Sequence, residues 1–517
     1  MQIKKNIKIL WLLSFLFVLA GWNSASLQTD IQDKLGVQKV NQEIQSQKLL
    51  DYIKVLTSES YGGRLTGTPE YRACAEWLGS QFKKWGIQPA GDRSTYFQTF
   101  PCPYTLVLSS GEVSMKTGNT KKTYIYEKDY FPGSNSASGR IQAEVVYVGY
   151  GITAPELGYD DYQGIDVKDK IILLEREVPL SPEESPAEVF LKWKPYSYHR
   201  YKMKNAVAHG AKRLLYNYLT TNTNTLYIDD FLFSQIAPHV TEDLFAGSEK
   251  TSEQTRGLIQ KTFRPQSFPT GKTCIIENKT EHHKEGIGYN VVGVLEGTDP
   301  KLKQEFILLG GHLDHVGRAP LLMPGANDNA SGIAVMLGIA EALAKSPVKP
   351  KRSIMFIGFG AEEHGLLGSL AYLAEPIAPL DKTKALINMD SVGCGNVLHA
   401  EAAENYPEFW QFIKSANDTF VHGAIRTSYT RNLGRPRTDA WVFMEKGIPS
   451  ISFGASGAPS FAHTTKDTVE TITPEILGDL ARILSVAVVK MSNQTSLDFK
   501  VSAPPPSKKP TKKQLSY

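Results

Sequence analysis

The sequence predicts an α/β protein: a three-layer sandwich around a mostly parallel sheet, interrupted by a second, strand-rich unit. Two observations lead there. After Gly286, short apolar runs of strand type alternate with segments of helical spacing. Between about residues 105 and 280 the texture is instead one of short strands and turns. A chain of 517 residues is also too long for one ordinary domain.

The first elements are helices. Leu49, Tyr52, Ile53 and Leu56 recur at helical spacing, and Tyr71, Ala75, Trp77, Leu78 and Phe82 do so again before Gly86. In the strand-rich stretch, residues 142–151 alternate and end in glycines, and 169–174 form a buried-type strand. A helix over 201–209 stops at Gly210 and leads into a strand over 213–218. In the last part, strands are expected over 306–310, 352–359, 385–389 and 449–453. Helices are expected over 330–345, 365–374, 407–417 and 475–491.

Composition narrows the class. Apolar residues make up 41% and charged residues 21%, a globular balance that excludes a disordered or collagen-like chain. The net charge of +4 is carried by the two ends: removing Lys4, Lys5 and Lys8 and then Lys508, Lys509, Lys512 and Lys513 leaves −3 for residues 27–500. That body carries no footprint for nucleic acid. The first three lysines precede an apolar run over 9–21 and the small residues Ser24, Ala25 and Ser26, the pattern of a cleavable export signal. An uncleaved anchor is the alternative, though the run is short for a membrane span, and no later segment is long and apolar enough to cross a bilayer. Cys74, Cys102, Cys274 and Cys394 are too widely spaced for a thiolate metal site or a disulfide scaffold. Export permits one disulfide, with Cys74 and Cys102 the nearest pair. The tail from Ala503 is rich in Pro and Lys and reads as disordered.

Sheets of this kind bind ligands in the crevice outside the carboxyl ends of their strands. The chemically capable residues at those ends are, in chain order, His312, Asp314 and His315, then Asp328 just before an apolar helix, then Glu362 and Glu363, then Asp390, and finally His463. Any one of these alone reads as a helix cap, a loop residue or a satisfied histidine. Together, two histidines and several carboxylates at one sheet edge form a donor set suited to Zn²⁺, with Co²⁺ or Mn²⁺ as substitutes. By strand alternation and helix turn, His315 and His364 flank this set but point elsewhere.

Gly310-Gly-His-Leu-Asp-His315, Asp328-Asn-Ala-Ser-Gly332, Ala361-Glu-Glu-His-Gly-Leu-Leu-Gly-Ser369, Asn388-Met-Asp390 and His463-Thr-Thr-Lys-Asp467 together resemble the co-catalytic dizinc aminopeptidase family. This family spans secreted leucyl aminopeptidases, glutamate carboxypeptidase II and glutaminyl cyclases, and the likeness runs from about residue 45 to 495. It implies a zinc exopeptidase-like fold and two Zn²⁺ per chain. Asp328 would bridge the ions, with His312 and Asp390 completing one and Glu363 and His463 the other. Glu362 would be the general base for a metal-activated water, and Asp314 would orient His312.

The implied activity is that of an exported, periplasmic or extracellular aminopeptidase acting on peptides with a free N-terminus. A carboxypeptidase, a glutaminyl cyclase and a non-catalytic receptor-like relative are the alternatives. The implied division is a signal peptide over 1–26, peptidase parts over 27–104 and 281–495, an inserted unit resembling a protease-associated domain over 105–280, and a tail over 496–517. Two departures stand out. Ala462 occupies the place where several relatives carry a Tyr before the last metal histidine, and Thr438-Asp439-Ala440 stands where relatives often read Ser-Asp-His.

Overall fold

In the computed structural model, the described residues are 38–182, 185–420, 423–429 and 437–501. The expected export signal and all but the start of the expected tail lie outside them. No helix among the described residues is long and apolar enough to cross a membrane.

The larger sheet has nine strands. Its centre is the parallel set Ser353–Phe359, Phe306–His312, Thr383–Met389 and Ser450–Ser456, buried along almost its whole length because helices cover both faces. Ile287–Leu295 joins one side antiparallel, followed by Gln88–Pro89 and Phe97–Pro101. On the other side Val397–Glu401 runs antiparallel to Ser450–Ser456 and pairs in parallel with Ile425–Tyr429. Val397–Glu401 is thus a strand where the sequence reading placed none. Val-Leu-His-Ala-Glu has too weak an alternation to announce itself, and pairing with a neighbouring strand decides its form.

One face carries the helices Ser46–Leu56, Pro69–Lys84, Ser331–Lys345, Pro407–Phe420 and Pro474–Ser492, and the other carries Leu367–Ala374 and Ala440–Glu445. Ser331–Lys345 is buried almost all round, which explains its lack of a polar stripe. Thr68 caps Pro69–Lys84 by accepting from the Tyr71 N–H at 3.1 Å, with Pro69 in the first turn. The three layers match the expected fold.

A second sheet of eight strands is built from residues 112–278, with the parallel strands Gly139–Tyr147, Ile171–Glu175, Arg213–Asn217 and Leu232–Ile236 at its heart. It has its own apolar clusters, one centred on Val145, Leu173 and Leu215 and the other on Val146, Ile172 and Leu214. Alternate residues of the same strands feed the two clusters, as a strand period of two requires. The chain leaves the large sheet at Pro101 and re-enters at Ile287, and those two residues are register partners. This second body is thus an excursion whose ends meet. All four cysteines are free: Cys74 packs in the large core, Cys102 beside Phe100 and Ala361, and Cys274 in the second body, so the nearest pair in sequence forms no bridge.

Candidate metal centre

The carboxyl ends of the central strands supply the site. Phe306–His312 ends on His312 itself, Glu362 and Glu363 come after Ser353–Phe359 and a short turn, and Asp390 comes directly after Thr383–Met389. The paired glycines before His312 have a steric reason: a Cβ on Gly311 would lie 2.3 Å from the Met389 carbonyl oxygen. Asp328 sits in the turn Ala326–Ala330 at the head of Ser331–Lys345, with φ −109° and ψ 96°. Two neighbours pin that turn. Asp467 accepts from the N–H groups of Asn327 at 2.8 Å and Asp328 at 3.0 Å, and the Asn329 amide donates to the Met389 carbonyl at 2.8 Å.

The result is two triads that share Asp328. Its Oδ1 lies 3.3 Å from His312 Nε2, which is also 3.5 Å from Asp390 Oδ1. Its Oδ2 lies 3.2 Å from His463 Nε2, which is 3.0 Å from Glu363 Oε2. Each triad brings one imidazole nitrogen and two carboxylate oxygens within 4.8 Å of one another, the mixed donor set that suits zinc. Such crowding of like charges without a counter-cation is costly, so the donor chemistry fits a pair of divalent ions.

This crowding sets the electrostatics. Burial disfavours charge on His312 and His463, but the carboxylates around each raise both well above the ordinary imidazole range. Burial works to raise Asp328, yet His312 and His463 hold it well below its usual value. Glu363, with burial likewise outweighed by His463 and His315, is held at about 2. Glu362 behaves oppositely: burial, helped by Glu363, Asp390 and Asp439 against the pull of His312, pushes it well up. Two adjacent glutamates are thus pushed in opposite directions by their surroundings.

All seven residues singled out in the sequence, His312, Asp314, Asp328, Glu362, Glu363, Asp390 and His463, meet at this edge. Two placements differ from expectation. The Asp314 carboxylate is 3.6 Å from His312 Nδ1, beyond a hydrogen bond, and the Asp314 backbone carbonyl takes that place at 3.2 Å. The side chain instead accepts from the N–H groups of Glu362 at 3.1 Å and Glu363 at 3.3 Å, so it shapes the turn that presents them. His315, read as pointing elsewhere, turns into the site and places Nδ1 3.0 Å from Glu363 Oε1. Strand alternation fails for it because the strand ends at His312.

Sequence reasoning also missed a scaffold residue. Arg64, fully buried, donates to the carbonyls of Leu313 at 2.9 Å, Pro324 at 2.8 Å and Gly325 at 2.7 Å, tying the His312 loop to the Asp328 turn. A lone Arg after a helix carries no signal of this in the sequence. Asp439 is buried beside the site, where burial, with Asp314 and Asp390 nearby, pushes it up to about 7 against the pull of His312 and the Ser369 hydroxyl.

Paired triads sharing one carboxylate at the carboxyl edge of a parallel sheet define the zinc-exopeptidase class of fold. Known proteins agree: residues 290–488, which contain every ligand candidate, match the family model described as Peptidase family M28. The chain is 26% identical over 376 residues to an aminopeptidase of Pseudomonas aeruginosa, a match covering 71% of this chain and 60% of that protein. It is 28% identical over 360 residues to aminopeptidase YwaD of Bacillus subtilis, covering 65% of this chain and 67% of that one. The match thus spans 60% of the length of the curated Pseudomonas relative. Among solved structures, the aminopeptidase from Aneurinibacillus sp. strain AM-1 superposes with a TM-score of 0.62 at 22% identity, over 91% of this chain and 99% of that chain. In fold and in motif, this chain resembles the co-catalytic dizinc aminopeptidases.

Proposed function

We propose that this protein is a zinc-dependent aminopeptidase, with one Zn²⁺ held by His312, Asp328 and Asp390 and a second by Asp328, Glu363 and His463. The observation that carries this reading is the sharing of Asp328, one oxygen toward each histidine. Bound zinc would supply Lewis acidity toward the scissile carbonyl and bring a water's acidity near neutral. The chain's own residues do the rest. Glu362, outside both triads and beside them, accepts the proton of the attacking water as a carboxylate and delivers it to the leaving amine. Asp314 holds the turn that aims Glu362, and His315 holds Glu363 in place.

The names of the Pseudomonas and Bacillus relatives, both called aminopeptidases, support a free amino terminus as the group recognised. The pattern of residues 1–26 supports export, which N-terminal sequencing of the mature protein from its producing cells checks.

The test uses aminoacyl chromogenic substrates, their N-acetylated forms and C-terminal reporter dipeptides, each with and without a chelator. Chelator-sensitive cleavage confined to the free-amine substrates is expected. Cleavage of the acetylated or carboxyl-terminal substrates instead would contradict the reading.

A further inference from the structure

The two candidate metal positions are supported from different parts of the molecule. His312 is oriented by its own strand end, where Nδ1 faces the Asp314 carbonyl at 3.2 Å, and Asp390 receives a hydrogen bond from the adjacent Ser391 hydroxyl at 3.2 Å. The other position leans on the second sheet. His463 Nδ1 lies 2.6 Å from the carbonyl oxygen of Thr221, in the connection between Arg213–Asn217 and Leu232–Ile236. A carbonyl only accepts, so Nδ1 carries a hydrogen and Nε2 is the ring nitrogen that faces Asp328 and Glu363.

More of the same loop is involved. The Thr223 hydroxyl donates to the Glu363 carbonyl at 2.7 Å, and Gly365 approaches so closely that a Cβ there would sit 2.7 Å from Asn224 Oδ1. Arg200, from the second body's helix His199–Ala208, donates to the His364 carbonyl at 2.6 Å. Glu127, just before the strand Tyr130–Pro132, accepts from the N–H of Thr465 at 3.2 Å and from its hydroxyl. The loop is itself anchored in the second body by buried Asn135, whose amide donates to the Thr223 carbonyl at 2.9 Å and the Thr225 hydroxyl at 3.2 Å.

We infer that the second sheet is a positioning element for one metal and not the other: the ion at Glu363 and His463 depends on the seating of the 221–225 loop. Thr221 and Thr223 act through His463 and Glu363. By linkage, an ion at that position must in turn hold the loop down, because any coupling between two sites is reciprocal. Partners that orient a metal-bound imidazole typically change metal affinity about 10- to 100-fold. The inference rests on the two-metal reading above.

Two measurements on the full-length protein test it. Zinc titration of the metal-depleted wild type and of Thr223→Val and Asn135→Ser should show one of two equivalents weakened about 10- to 100-fold in the variants and the other unchanged. Ser391→Ala, on the Asp390 side, should leave the equivalent that those variants weaken unaltered. Hydrogen exchange on the wild type, which needs no variant, should show amides 221–225 becoming more protected as the second equivalent binds. Equal weakening of both equivalents, no weakening, or exchange in 221–225 indifferent to zinc would overturn the inference while leaving the two-metal reading intact. A wild type that takes up no zinc would overturn both.

Discussion

The molecule contains two sheets with parallel centres, and the same kind of edge does different work in each. At the carboxyl edge of the large sheet, His312, Glu363 and Asp390 stand at the ends of neighbouring strands and converge with Asp328 and His463. At the corresponding edge of the second sheet, the last residues of two neighbouring strands, Glu175 and Asn217, are register partners joined by one hydrogen bond, from the Asn217 amide to Glu175 at 2.8 Å, with Arg256 at 4.0 Å. Among the described residues, every group of three or more potential ligand side chains gathered closely enough to hold a metal lies on the large sheet. Architecture offers a crevice at both edges, and the side chains after the strands decide which becomes a reaction site.

If that contrast is correct, the largest effect belongs to Glu362. Glu362→Gln should keep its zinc and lose on the order of 10³-fold or more in kcat, since the turn held by Asp314 survives and only the proton carrier is gone. Near-normal turnover would remove Glu362 from the mechanism.

Asp467→Asn comes next. It weakens the clamp on the Asn327 and Asp328 N–H groups and should lower zinc affinity by about 10- to 100-fold, read by competition with a chromophoric chelator.

The third effect is a pH dependence of metal uptake. In the metal-free chain His312 and His463 hold protons well above the ordinary imidazole range, so zinc must displace them. Apparent affinity should therefore climb as pH rises from about 6 to about 8, with proton release visible by calorimetry in buffers of different ionisation enthalpy. The sign for stability is opposite. These raised histidines stabilise the metal-free fold fully below their unfolded-state value, and that contribution fades as pH rises through the folded-state value. Thermal melts of the depleted protein should fall over that range, and the zinc-loaded protein should not show the same decline.

The smallest effect is expected across the molecule. Glu175→Gln alters the second sheet's edge and should leave zinc content and kcat/KM within about twofold, because Glu175 and its partners Asn217 and Arg256 lie outside the 221–225 loop that touches His463 and Glu363. A large loss would mean that the Glu175–Asn217 pair also helps to seat that loop.

The site was legible in the sequence because its chemistry is local. Each ligand candidate comes after a strand or opens a helix, so residue type and position relative to an element carry the signal. The rest depends on contacts made across the chain, which a sequence does not display. Arg64 reaches carbonyls at 313, 324 and 325, and the Thr221 carbonyl reaches His463, while an arginine or threonine in a loop looks the same whether it does this or faces water. His315 was misread because strand alternation was carried past the strand's end, and the strand Val397–Glu401 was missed because its pairing, not its composition, makes it a strand.

The central claim is that two metals share Asp328, and the most direct measurement is the zinc content of the purified full-length chain beside that of Asp328→Asn. The account predicts two zinc ions per chain in the wild type and loss of both on replacing the shared carboxylate. A wild type with no zinc, or an Asp328→Asn variant that still holds two, would contradict it.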